Sequence, residues 1–149
     1  MTTNSTMTAI AAKALPALSG DKLVYNAKHN VYLTQGYTSA AGNMYFKAIR
    51  GNNRLLMYFD IGQGYAYTFL NGITLYAWDG NRAKVIGQRR WGGSNWVAYS
   101  DAFAREQCIG MLKDYLAGQA RLLNGQISDS QLREFSRNMV DETYQKCIA

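Results

Sequence analysis

From Lys22 to Arg90, the apolar positions gather in short runs rich in Tyr, Val, Ile and Phe that are broken by Gly and Asn. Such runs are the signature of extended strands, and the glycines and asparagines supply the turns between them. The pattern predicts strands at 22–26, 30–34, 43–50, 54–61, 65–70, 73–78 and 82–90. Gly51-Asn52-Asn53, Gly62-Gln63-Gly64, Asn71-Gly72 and Asp79-Gly80-Asn81 all hold residues that tolerate the positive φ of tight hairpins. Asn71-Gly72 is the strongest hairpin signal among them.

Turn parity assigns the faces. A two-residue turn at Asn71-Gly72 sets Leu70 opposite Ile73, so Tyr65, Tyr67 and Phe69 share a face with Thr74, Tyr76 and Trp78. A second two-residue turn adds Ala83, Val85 and Trp91 to that aromatic face. The other face receives Leu70, Ile73, Leu75, Ala77, Lys84, Ile86 and Gln88. Neither face is polar throughout, so the sheet must be covered on both sides, curl toward a barrel, or keep one face for a partner.

Beyond Trp91, Gly92-Gly93-Ser94-Asn95 reads as a connection, and the period lengthens to that of a helix. Ser100 or Asp101 caps a first helix running to about Asn124, with Cys108, Met111, Leu112, Tyr115, Leu116, Leu122 and Leu123 on its apolar side. Gly125 suits its C-terminus. Ser128 and Gln131 then form a capping box, and Ile127 with Leu132 stands at the positions of a hydrophobic staple. Leu132, Phe135, Met139, Val140 and Cys147 fall on one side of this second helix. A loop of about three residues makes the pair an antiparallel αα-hairpin.

The resulting fold class is α+β: an antiparallel β-meander of about five to seven strands, open to curling, with a C-terminal antiparallel helical hairpin packed on one face. Residues 22–149 form one domain, with the meander at 22–99 and the hairpin at 100–149. Residues 1–21, polar and then Ala-rich, are expected to fray at the start and to form a short helix ending near Pro16.

Composition supports this. The chain has 149 residues, 48% of them apolar and 17% charged, enough material for a core without disulfides or metal. No apolar run reaches the length of a membrane-spanning helix. Met7 to Leu18 is interrupted by Lys13 and preceded by no basic segment, so a secretory signal is not expected and the cytoplasm is the favoured location, with a secreted or periplasmic protein as the alternative. Charge is divided unevenly. Before Ser100 there are ten Lys or Arg against three acids, and from Ser100 onward six against seven. The positive field belongs to the β half, which is where an anionic partner would meet the protein.

Signals for chemistry are sparse. His29 is the chain's single histidine, and no metal-binding, P-loop or nucleophile-elbow spacing occurs, so no catalytic residue, metal or cofactor is assigned and the protein is read as a non-enzyme. Asp60 and Asp79 lie beside glycine turns, where Asp serves the backbone. Cys108 and Cys147 sit at similar heights of the two helices, as buried thiols in a reducing compartment or a disulfide in an oxidising one; thiols are favoured.

The remaining feature is the stretch from Arg82 to Trp96. Arg82, Lys84, Arg89 and Arg90 are the candidate phosphate contacts, and Trp91 and Trp96 the candidate stacking planes. A structural reading competes: an edge strand whose basic residues discourage edge-to-edge pairing, with both indoles anchoring the sheet. The leading functional expectation is a binding module for an anionic macromolecule, either nucleic acid or an acidic protein surface. The alternatives are an assembly subunit, homo-oligomeric or not, that uses a sheet face or edge, and a binder of an apolar ligand in a cavity between sheet and helices.

Overall fold

The computed structural model describes residues 23–26, 31–51, 54–78, 81–92, 95–123 and 125–145. The expected N-terminal helix, His29, Cys147 and the turn residues 52–53, 79–80 and 93–94 lie outside them.

Eight strands form one antiparallel sheet: β1 (Leu23–Asn26), β2 (Val31–Thr34), β3 (Tyr37–Thr38), β4 (Met44–Gly51), β5 (Leu55–Gln63), β6 (Thr68–Trp78), β7 (Ala83–Arg90) and β8 (Val97–Ala98). The order is β1-β2-β4-β5-β6-β7, with β3 also beside β4 and β8 also beside β6. The sheet is open, and along this path its strands follow one another in space in their sequence order. Two helices follow among the described residues, α1 (Asp101–Leu122) and α2 (Asp129–Gln145). The α+β architecture read from the pattern, a meander followed by a helical hairpin packed against it, is the one observed.

Both helix starts follow their sequence signals. Ser100 Oγ accepts from Phe103 N at 3.1 Å. At α2 the capping box closes reciprocally: Gln131 N donates to Ser128 Oγ at 3.2 Å, and Ser128 N donates to Gln131 Oε1 at 3.1 Å. Between the helices, Arg137 grips Glu106 at 2.6 and 3.4 Å and Lys113 reaches Asp129 at 2.6 Å. These pairs are exposed and set the alignment of the hairpin more than its stability.

The main core lies between sheet and hairpin. Leu55, Met57, Phe59, Leu70, Ile73 and Leu75 from the sheet meet Ala104, Cys108, Ile109 and Leu112 of α1 and Val140 of α2. The far face of the sheet carries a second buried cluster, Tyr32, Ile49, Leu56, Tyr58 and Tyr76, flanked by Tyr25 and Trp78.

The β6 strand departs from the pattern. Asn71-Gly72 makes no hairpin: β6 runs through it without a break. Asp60 pairs with Gly72 and Ile61 with Leu70, so Asn71 is an extra residue bulged out of the ladder, and its carbonyl accepts from Trp91 N at 2.8 Å. A one-residue bulge keeps Leu70 and Ile73 on one face just as a two-residue turn would, so the faces assigned to residues 67–78 hold. The hairpin between β5 and β6 lies instead at Tyr65-Ala66, closed by Gly64 N donating to Tyr67 O at 2.8 Å. Gly62, expected in a turn, is inside β5.

A second bulge reverses the end of β7. Leu75 pairs with Gly87 but Tyr76 with Val85, leaving Ile86 as the extra residue. Every side chain after it changes sides relative to the expected alternation. Gln88 therefore lies on the far face, donating to Thr74 Oγ1 at 3.2 Å, and Trp91 lies on the helix side, its ring 5.6 Å from that of Phe103. Leu122 and Leu123, expected on the apolar side of α1, are exposed.

Candidate functional site

The six residues singled out between 82 and 96 do not converge. Arg82 is exposed in the connection between β6 and β7, about 26 Å along the strand from Arg90 at ~3.3 Å per residue. Lys84 pairs in register with Ala77, on the helix side by parity. Arg89 is also on the helix side, where its guanidinium is hydrogen-bonded to Gln107 and lies 3.9 Å from Asp114. With Trp91 against Phe103, these residues tie β7 to α1. Arg90 turns the other way, to the far face, and stands 4.0 Å from Asp60. Trp96 precedes β8 and reaches the same face.

Around Trp96 the sheet assembles a set of rings of which turn parity places only Tyr67 and Phe69 on one face. Register aligns Tyr37 of β3 with Tyr45 of β4, Tyr45 with Gly62 of β5, and Gly62 with Phe69 of β6. The centroids of Tyr37 and Tyr45 are 5.5 Å apart, those of Tyr45 and Phe69 5.8 Å, and those of Phe69 and Trp96 6.4 Å. Tyr67 joins at 5.7 Å from Phe69 and 5.6 Å from Trp96. The row is accessible at both ends, with Tyr37 64%, Tyr67 48% and Trp96 52% exposed around a Phe69 that is only 8% exposed.

Two glycines form its floor. A Cβ at Gly62 would come within 2.5 Å of Phe69 Cε2, and one at Gly64 within 2.5 Å of Tyr67 Cζ. Real side chains do not tolerate such approaches, so both rings lie against bare backbone. The register that builds the row depends on two local devices. Thr34 Oγ1 accepts from Lys47 N at 2.9 Å where β2 gives way to β3, and Gly42, at φ +85°, turns the chain back into β4.

Two residues farther along the strands, the same face carries Lys47, Asp60 and Arg90, linked by the register pairs Lys47 with Asp60, Asp60 with Gly72, and Gly72 with Arg90. An aromatic row is thus followed by a row of two cations and one acid. The signal that would have exposed this arrangement is Gly62 itself, a glycine in mid-strand flanked across the sheet by aromatic residues.

Elsewhere, burial pushes the Cys108 thiol well above its ordinary pKa, which leaves it protonated. An open apolar groove of about 650 Å³ runs along the tip of the hairpin, between Leu116, Leu123, Ile127, Leu132 and Phe135, outside the sheet–helix interface where a ligand cavity was sought. Comparison of the chain with models of known protein families, with curated proteins and with solved structures finds no match.

Proposed function

We propose that the protein is a non-enzymatic binding module that contacts an anionic macromolecule through the aromatic end of its far face, with Arg90 and Lys47 beside it. The observation that carries this reading is the row of rings, exposed at both ends, next to cations on the half of the chain that holds the excess positive charge. Exposed aromatic surface of this extent is expensive to leave in water and marks an interaction site. Arg and Lys beside it supply the long-range attraction that brings an anionic chain to the surface. Within this reading Arg90 and Trp96 act in binding, while Arg89 and Trp91 hold β7 against α1.

The test is retention on immobilised polyanions (single-stranded DNA, RNA and poly-aspartate) at about 50 and 200 mM salt. At least one should be retained at the lower concentration and released at the higher, with weaker retention for Arg90→Ala. No retention of any polyanion at low salt overturns the reading.

A further inference from the structure

We infer that the anionic partner is single-stranded nucleic acid, with about two or three of its bases stacked on the exposed rings at the ends of the row, Tyr37 on one side and Tyr67 with Trp96 on the other. This rests on the binding-module reading and deepens it.

Orientation of the rings is the first argument. Tyr67 and Trp96 are about half exposed, with ring centroids 5.6 Å apart and planes only 34° from parallel, so together they offer an aromatic surface to solvent, while Phe69, 8% exposed, is enclosed among its neighbours. An outward π-face is what a nucleobase stacks on. An acidic protein surface has no use for it, since carboxylates seek N–H donors and the positive edges of rings.

Spacing is the second. Neighbouring centroids along the row are 5.5 to 6.4 Å apart. Duplex DNA places its bases about 3.4 Å apart and keeps their faces against one another. Tyr45 and Phe69 are set at 85° and Phe69 and Trp96 at 70°, so the two accessible ends, Tyr37 on one side and Tyr67 with Trp96 on the other, are the landing points, and bases seated there are drawn apart as in an extended single strand.

The third is the position of charge. The row of Lys47, Asp60 and Arg90 lies two residues, about 6.6 Å, from the ring row along the strands. A strand whose bases occupy the rings carries its phosphates to one side of them, and this offset brings phosphate oxygens to the cations. Arg90 is available for such an exchange: its guanidinium is largely exposed, and its 4.0 Å approach to Asp60 is longer than a hydrogen bond.

The experiment compares three ligands of similar charge on the full chain: an oligothymidine of about ten nucleotides, an abasic strand of equal length, and poly-aspartate. Binding is read by quenching of tryptophan fluorescence and by anisotropy of a labelled ligand. The oligothymidine is expected to bind more than about tenfold tighter than the abasic strand, and Trp96→Ala and Tyr67→Ala each to weaken it by roughly 5- to 150-fold, the equivalent of losing one stacked base. Melting curves of both variants exclude unfolding, and either variant suffices if the other is destabilised. Equal affinity for the three polyanions, unaffected by Trp96→Ala and Tyr67→Ala, overturns base stacking and leaves the broader binding reading standing. Tightest binding to poly-aspartate points to an acidic protein and also overturns it. Failure to bind any of the three removes both.

Discussion

Phe69 lies across Gly62, its partner in the β5–β6 ladder, in the space where any other residue would carry its Cβ. The aromatic row and the absence of a side chain at position 62 are therefore one feature. Gly62→Ala should expel the Phe69 ring and cost about 1 to 3 kcal/mol, the usual range for overpacking a filled site. The check is a double-mutant cycle by chemical denaturation: Gly62→Ala combined with Phe69→Ala should cost clearly less than the sum of the two single changes, because the collision no longer exists.

Arg89 and Arg90 are adjacent in sequence and opposite in role. Arg89→Ala removes the bond to Gln107 and the seat of the guanidinium over Gly110 of α1, and should lower stability by about 1 to 2 kcal/mol. Arg90→Ala, at an exposed guanidinium, should stay within about 0.5 kcal/mol of the parent while weakening polyanion retention. Urea denaturation run beside the retention assay separates the two, and the opposite assignment of effects would show that the second bulge in β7 is misplaced.

These relationships mark what could be read in the chain alone. The start of α2 was legible because a capping box is local: Ser128 and Gln131 need only each other. β5 was legible because it is a near-continuous apolar run, with Leu55, Met57 and Phe59 buried on one face and Leu56 and Tyr58 on the other. Asn71-Gly72 misled because the residues that permit a tight turn also permit a bulge. Which one forms depends on whether β5 continues alongside, and that is decided by residues 60 to 63, whose pairing local propensity does not encode. Ile86 carries no turn chemistry at all, so the face of everything after it, Gln88 and Trp91 included, was beyond parity. The ring row was missed for a related reason. Tyr37, Tyr45 and Phe69 are remote in sequence and meet only through the register of four strands, one of them two residues long.

The box at α2 gives a prediction of its own. Ser128→Ala should lose about 1 kcal/mol, and Gln131→Ala somewhat less. The double variant should fall short of the sum, because each side chain satisfies a backbone donor of the other. Thermal unfolding followed by circular dichroism at 222 nm measures all three.

Ser136 is fully buried on α2, and its hydroxyl has no hydrogen-bond partner among the described residues. Replacing it with Ala removes an unsatisfied polar group and substitutes a better helix former, so Ser136→Ala should be neutral or raise stability by up to about 1 kcal/mol. A loss of more than that by the same measurement would mean that the hydroxyl is satisfied in solution.

Tyrosine ionisation sets the alkaline limit. Burial, with the Tyr58 phenol alongside, pushes the pKa of Tyr76 up to about 12. Burial also raises Tyr99, helped by its hydrogen bond to Asp101, and Tyr144. In the unfolded chain these phenols ionise near pH 10. Above that pH the native state holds more protons than the unfolded one, so stability falls with rising pH, for Tyr76 until about 12, where the native phenol ionises as well. Stability should be insensitive to these groups below pH 10 and decline above it. Phenolate absorbance near 295 nm should show a fraction of the tyrosines ionising only with unfolding.

Because all eight strands precede both helices of the hairpin in the chain, the whole sheet can leave the ribosome before either of these helices has been made. At that moment the side of Leu55, Met57, Phe59 and Leu75 that α1 and α2 will cover is bare. The nascent protein thus passes through an interval in which it is a two-sided hydrophobic sheet, and its yield in cells should depend on how fast the last third of the chain is translated and on the holdase capacity available while it waits.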